Sequence, residues 1–521
     1  MMVLLAVLVL GGAVPVASQS TSEKPNILLA IADDVSYPHM SAYGTEWVET
    51  PAFDRVAQRG ILFENAYVNN PKCAPLRASL LTGRHSWQLG PAAHHGGIFP
   101  KKYKVYPEVL NERGYHVGYT GKGWEPGKVK GDRSLTGKKY NGSNYTGGFK
   151  AFLSDRDEDD PFCFWYGAHE AHRPYEEGSG VEAGKDPSAV DLPPYWPDEK
   201  RVRNDILNYA VEIEEFDRHL GQMLRIIKKR GELEHTLVVV TTDHGMPFPQ
   251  AKGQIFELGL HVPLAIMWGD EIRNPGRTVT DYVSLIDLAP TFIEAAGLDW
   301  QETGMHSTPG TSLTDIFQSS KSGRVNPERD HVLVGREKHD VGRPFNWGYP
   351  VRGIIEEGML YVNNLKPDRW PAGRPETGYS NHSGSPTKTA LLEARTHPKR
   401  HFMWRMCLGK RPAEMLYDIE EDRYNVNNLA DHPDYREKKH ELKTRLYHKL
   451  EEQNDPRVQG RGYVFQQYGQ KRTDDDSSYY REYMNGNAGK LGWPDASDYD
   501  PTYRPYWGER AWKTTRDRQK D

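Results

Sequence analysis

Three uninterrupted apolar runs stand out along the chain, and each ends in ionisable groups. Asn26 to Ala32 (NILLAIA) follows Pro25 and stops at Asp33-Asp34. Phe162 to Tyr166 leads to His169 and His172, and Thr236 to Thr242 (TLVVVTT) stops at Asp243-His244-Gly245. Runs of this length without polar alternation predict strands buried on both faces, as in a parallel sheet covered by helices. From Val202 to Ile227, the residues Ile206, Tyr209, Ile213, Phe216, Leu220, Met223 and Ile227 recur at helical spacing among charged residues, which predicts an amphipathic crossover helix. Ligands of open α/β sheets sit at the C-terminal ends of the strands, so these ionisable groups are expected to converge although far apart in sequence.

After about residue 345 the pattern changes. Val351 to Ile355 and Met359 to Asn363, with Glu356-Glu357-Gly358 between them, predict an antiparallel hairpin. Residues 366 to 386, rich in Pro, Gly, Ser and Asn, predict a long loop, and Glu437 to Glu452 places Leu442, Leu446 and Leu450 on one stripe of a charged helix. The tail from Arg461 onward is polar but rich in aromatic rings, Trp493 among them, which could stack on sugar faces or pin an extended segment to the body. The expected fold class is α/β: a large, mostly parallel sheet flanked by helices over residues 22–345, and a smaller α+β subdomain with an antiparallel sheet and the aromatic tail over 346–521.

Composition narrows the function classes. With 521 residues, 37% hydrophobic and 27% charged, the chain has material for a large core. Its 67 Lys+Arg against 72 Asp+Glu give a net charge of −5, which argues against a basic nucleic-acid-binding face. Residues 1–18 read as a secretory signal: Val3 to Val16 is uncharged and apolar, shorter than the roughly 20 residues of a membrane span, and is followed by Ala17 and Ser18. The mature protein is therefore expected to have no membrane span and to be secreted, periplasmic or held in a lysosome-like lumen. Three cysteines, Cys73, Cys163 and Cys407, are too few for a disulfide scaffold and odd in number, so at least one is free or used chemically.

The most specific segment runs Cys73-Ala74-Pro75-Leu76-Arg77 and continues to Leu81-Thr82-Gly83-Arg84, opening a helix after a loop. A helix N-terminus offers free N–H groups and positive potential, which suits an anion or a nucleophile that becomes one. This segment resembles the signature of the type I sulfatases. Further stretches resemble the same family: Ile31 to Asp34, Thr50 to Asp54, Phe63 to Tyr67, Gly114 through Gly121-Lys122-Gly123-Trp124, His169 to Pro174, Thr242 to Gly245, and Lys252 through Glu257 to Pro263. Leu416-Tyr417-Asp418 with Asn428-Leu429-Ala430 resembles its C-terminal signature. Met246 to Pro249, Gly335 to Asp340 and Tyr349 to Arg352 are similar to the branch of N-sulfoglucosamine sulfohydrolases and polysaccharide sulfatases.

The resemblance implies an alkaline-phosphatase-like sandwich that hydrolyses sulfate esters or sulfamates on sulfated carbohydrate. It implies oxidation of Cys73 to formylglycine (3-oxoalanine) by a formylglycine-generating enzyme. Asp33, Asp34 and Asp243 are hard oxygen donors suited to Ca²⁺ or Mg²⁺, with His244 and Cys73 completing the metal set. Arg77, Lys122, His172 and Lys252 are implied to neutralise the sulfuryl oxygens, and His172 or Lys252 to protonate the leaving atom. Trp124 stands where the family usually places histidine, so another group must supply the base that releases sulfate. Trp124, Arg336, His339, Asp340 and Arg352 are candidate sugar contacts. Two rivals stay open, a phosphoester or phosphonate hydrolase of the same superfamily and an inactive carbohydrate-binding relative.

Overall fold

The computed structural model describes residues 24–469, 479–487 and 491–499. The expected signal peptide lies outside the described residues. Eight strands form the main sheet: β1 (Asn26–Ala32), β2 (Ile61–Phe63), β3 (His116–Gly121), β4 (Lys138–Lys139), β5 (Phe162–Gly167), β6 (Thr236–Thr242), β7 (Leu264–Met267) and β8 (Arg277–Val279). Their order across the sheet is β8-β2-β7-β6-β1-β5-β3-β4. Only β7 runs against its neighbours. All other pairings are parallel, with Ile27 in register with Cys163 on one side and Leu237 on the other.

The three apolar runs become adjacent central strands because both faces of the sheet are covered. Ile27, Leu29 and Ile31 of β1 enter one core with Leu80, Leu81 and Phe292, while Leu28 and Ala30 enter the other with Ile206, Ile213 and Phe216. The second core holds α4 (Lys200–Lys229), the expected amphipathic helix, beside α1 (Pro51–Gln58) and α3 (Tyr145–Asp155). The first holds α2 (Cys73–Thr82), whose ten residues are all buried.

The C-terminal part is built on an antiparallel sheet of β9 (His331–Arg336), β10 (Val351–Glu356), β11 (Met359–Asn364) and β12 (Glu414–Asp418). One face joins the first core through Val334, Ile355 and Leu360. The other packs Leu333, Ile354 and Leu416 against Leu442, Leu446 and Leu450 of α5 (Arg436–Glu452). The division expected after residue 345 falls inside this sheet, since β9 precedes it; a lone buried strand carries no turn signal that would link it to a hairpin 15 residues on. The 366–386 segment is irregular, as expected, but much of it is buried. A buried loop needs donors for its carbonyls. Arg343 donates to Trp370 O and Pro371 O, and Lys388 to Gly378 O and His382 O.

Four adjacent strands, β6, β1, β5 and β3, point their C-terminal ends to one edge. Two glycines bring β3 and β5 close enough there. A Cβ on Gly121, at φ +73, would lie 2.0 Å from Gly167 O, and one on Gly167 would lie 1.9 Å from Lys122 O. The Lys122 N–H donates to Gly167 O across this gap at 2.7 Å. Gly167→Ala must therefore displace rigid backbone, and a loss of about 1–3 kcal/mol is expected in denaturant unfolding. An unchanged unfolding midpoint would contradict this reading of the strand ends.

Candidate active site

The residues that leave the four strand ends meet at the first turn of α2. Lys72 is extended (φ −151) and the helix begins at Cys73, whose Sγ lies 3.2 Å from His244 Nε2 and 3.7 Å from Asp33 Oδ1. Asp33 and Asp34 follow β1, and Asp243 and His244 follow β6. Asp34 adopts φ +68, a conformation that aspartate tolerates better than most side chains, and its N–H donates to Asp243 Oδ1 at 3.1 Å. One ligand atom each from Asp33, Asp34, Cys73, Asp243 and His244 lies within 4.8 Å of all the others, and all five residues are buried.

Cations surround this cluster. Arg77, one turn into α2, donates through Nε to Asp243 Oδ2 at 2.9 Å and through Nη1 to Lys122 O and Gly123 O at 2.9 and 3.2 Å. Lys122 pairs with Asp33, and Lys252 with Asp34. His172 Nε2 stands 4.0 Å from Asp34 Oδ2. The next residue, Arg173, forks onto Asp205 of α4 with two 2.8 Å bonds, fixing the segment that carries His172.

The electrostatics single out one cysteine of three. Burial pushes the thiols of Cys163 and Cys407 up. Burial pushes Cys73 the same way, but Lys122, Lys252 and His244 outweigh it and hold the thiol well below its usual value. Burial likewise disfavours charge on His244, yet Asp243 and Asp34 raise it to about 9. The donor set fits a hard divalent cation. Asp34 Oδ1 has no hydrogen bond and lies 3.1 Å from His244 Nε2, and three carboxylate groups outnumber the one imidazole and the one thiol that converge with them, a set in which oxygen donors predominate.

A cavity of about 200 Å³ adjoins the cluster. Lys72, His95, His172 and Lys252 line it on behalf of the main sheet. His339, Asp340, Ser380, Asn381 and Trp493 come from the C-terminal part. The smaller cavity meets the cluster through Lys252 and His172, which lie against Asp34, whereas a larger cavity of about 360 Å³, lined by His85, Asp287, Arg329 and Gln453, includes none of the groups paired with the cluster.

Of the expected sugar contacts, His339 and Asp340 reach the cavity and three others do not. Trp124 turns its indole N–H onto Ala74 O at 2.9 Å and packs on Phe99, so it supports the first turn of α2 from beneath. Arg352 is enclosed by Asp455 (2.6 Å) and Glu337 (2.8 Å), and Arg336 donates to Gly253 O, Gln254 and Pro371 O. Arg336 thereby ties the C-terminal part to the segment after β6, whereas Arg352 makes its ion pairs within the C-terminal part. Arg77 is likewise fully enclosed and braces α2 from outside the cavity wall.

Sequence reasoning missed His95, Lys72 and Asn381. His95 hydrogen-bonds the Cys73 side chain, and burial, countered by that bond, takes its imidazole down to about 4. Lys72 donates to Asn381 O and Oδ1 at 3.2 and 3.3 Å, and burial and the nearby Lys252 lower it to about 8. The only signals available were the His94-His95 pair before two glycines and the lysine next to Cys73.

Strand ends supply carboxylates and a helix N-terminus supplies a cysteine, on a fold of the alkaline-phosphatase-like class. The chain matches the Sulfatase family over residues 25–298, more than half its length, and belongs to that family. It is 27% identical over 456 residues to an ulvan-active sulfatase of Formosa agariphila, covering 84% of this chain and 82% of that protein. To the N-sulphoglucosamine sulphohydrolase of Homo sapiens it is 27% identical over 481 residues, covering 83% and 91%. A solved structure described as a complex with its substrate D-glucosamine-2-N,6-O-disulfate superposes with a TM-score of 0.62 at 18% identity, covering 83% of this chain and 98% of that one. The protein is a sulfuric ester hydrolase. Among the described residues no helix is long and apolar enough to cross a membrane.

Trp124→Phe should lower stability by about 1 kcal/mol, since it removes the bond to Ala74 O, and should leave KM for any substrate unchanged. A large rise in KM without loss of stability would place the indole at the substrate after all.

Proposed function

We propose that the protein hydrolyses sulfate esters or sulfamates on sulfated carbohydrate, with residue 73 as the nucleophile after oxidation of Cys73 to formylglycine by a formylglycine-generating enzyme. The observation that carries this reading is the placement of Cys73 at the N-terminus of a buried helix, between a carboxylate cluster and two lysines, beside a cavity. Hydrated formylglycine supplies an oxygen nucleophile that can release sulfate again by re-forming its aldehyde. Asp33, Asp34, Asp243 and His244, with position 73, would hold Ca²⁺ or Mg²⁺, and such a cation supplies polarisation of a sulfuryl oxygen.

The remaining roles follow from position. Lys252 and His172 both face Asp34 and line the cavity, which suits them to bind sulfuryl oxygens and protonate the leaving oxygen or nitrogen. Lys122 adds positive charge from the other side of Asp33. Arg77 acts by orientation, holding α2 against Asp243. Two imidazoles meet the residue 73 side chain, His244, which is assigned to the metal, and His95, which also lines the cavity, while Trp124, in the family's usual histidine position, is turned away. Proton removal at the residue 73 hydroxyl is assigned to His95. The apolar run Val3 to Val16 supports secretion of the mature protein.

Sulfate release from N-sulfated and 6-O-sulfated glucosamine and from ulvan oligosaccharides, run beside release of phosphate from an aryl phosphate, tests the function. Sulfate from at least one sugar, at well above the phosphate rate, is expected; phosphate without sulfate would overturn the reading. Asp243→Asn should lose bound calcium and sulfate release together, by elemental analysis and assay, whereas full metal content in the variant would remove Asp243 from the ligand set. His95→Ala should lower kcat by about 10²–10⁴-fold with a much smaller change in KM. A kcat equal to wild type would leave the proton to another group.

A further inference from the structure

The segment Leu491 to Tyr499 is anchored far more firmly than a surface tail requires. Lys388 Nζ pairs with Asp498 Oδ2 at 2.8 Å with both side chains fully buried, and the same ammonium donates to Gly378 O and His382 O at 2.8 and 3.0 Å. A buried ion pair contributes little stability unless its remaining hydrogen-bonding sites are satisfied. Here Lys388 has the extra bonds and Asp498 Oδ2 also accepts from the Asp495 N–H at 2.9 Å, while Asp498 Oδ1 has none, so the effect of the pair is to hold a strap in one place rather than to add stability. The Trp493 N–H of the indole donates to Ser380 O at 2.8 Å, the Gly384 N–H to Trp493 O at 2.7 Å, and the Tyr499 hydroxyl to Leu491 O at 3.0 Å.

What the strap holds in place is a half-buried ring in the wall of the substrate cavity. Two other groups of that wall, His339 and Asp340, are themselves buried. His339 uses Nε2 on Asn70 Oδ1 at 2.7 Å and leaves Nδ1 without a hydrogen bond. Asp340 pairs Oδ1 with Arg343 at 2.5 Å and leaves Oδ2 without one. Buried polar atoms without partners call for an explanation, and polar groups entering the cavity would supply one. An indole beside polar atoms of this kind matches a ligand with an apolar ring face and a hydroxyl rim, which describes a pyranose. The lysines and His172 in the same cavity account for its anionic group.

We propose that Trp493 is a specificity-determining residue whose indole stacks on the sugar ring carrying the sulfate, set in position by the Lys388–Asp498 anchor. This rests on the sulfatase reading above. The test compares wild type with Trp493→Ala, Trp493→Phe and Asp498→Asn, measuring KM for the sulfated sugar that wild type cleaves fastest and Ki for inorganic sulfate as competitor. Trp493→Ala and Asp498→Asn should raise KM about three- to tenfold with Ki for sulfate unchanged, and Trp493→Phe, which keeps a stacking ring, should stay within about twofold of wild type. If Trp493→Ala does not fold, Trp493→Leu takes its place with the same expectation. A KM equal to wild type, or a parallel rise in KM and Ki, would overturn the proposal while leaving the sulfatase reading intact. Absence of sulfate release by wild type from every sugar would instead overturn the reading on which it rests.

Discussion

Mutual repulsion among Asp33, Asp34 and Asp243 is the constraint on which the rest of the site depends. Two like charges about 4 Å apart repel by about 4 kcal/mol at an effective dielectric of about 20. Three such pairs would oppose folding by about 12 kcal/mol, comparable with the whole stability of an ordinary domain, about 5–15 kcal/mol. That repulsion is opposed by Arg77, Lys122 and Lys252, which converge on the carboxylates from α2, from the end of β3 and from the loop after β6, and by His244 between Asp34 and Asp243. The same charges therefore tie the helix bearing Cys73 to the strand ends. Electrostatic compensation and alignment of the proposed nucleophile are one arrangement.

Several residues act through that arrangement without facing substrate. Arg77 spends its hydrogen bonds on Asp243 and on the carbonyls of Lys122 and Gly123, and Trp124 on the carbonyl of Ala74. Together they fix the first turn of α2 from below, which leaves the space above Cys73 to His95, His172 and Lys252. The C-terminal part completes the cavity. Its antiparallel sheet shares a core with the main sheet, and the buried 366–386 loop carries Ser380 and Asn381 into the wall. Arg336 and Arg343 make that loop affordable to bury by supplying donors to its carbonyls.

How much of this could be read in the sequence follows from how local each signal is. The apolar runs at β1, β5 and β6 and the stripe of α4 were legible because strand and helix burial imprint a periodicity on neighbouring residues. Their ionisable ends were legible because doubly wound sheets place ligands there, and Asp33, Asp34, Asp243, His244 and Cys73 do meet. The hairpin of β10 and β11 was legible from its turn, but β9, which has none, was not. Side-chain direction left no such imprint. Trp124 and Arg352 sit in segments of functional pattern yet point into the protein, since what decides their role is a partner 50 residues away in one case and 103 in the other. His95 reaches the cavity from a segment with no pattern at all, through a contact with Cys73 that only the folded chain creates, and Trp493 was legible as one ring of an aromatic tail but not as the ring that reaches the cavity.

The central claim is that the side chain at position 73, once oxidised, performs the chemistry. The most direct measurement is the mass of the peptide bearing residue 73, isolated from enzyme made with and without a formylglycine-generating enzyme, with sulfate release assayed on the same samples. The account predicts an aldehyde in the co-expressed enzyme and sulfate release in proportion to the aldehyde fraction. Full activity from protein whose Cys73 is a free thiol throughout would contradict it.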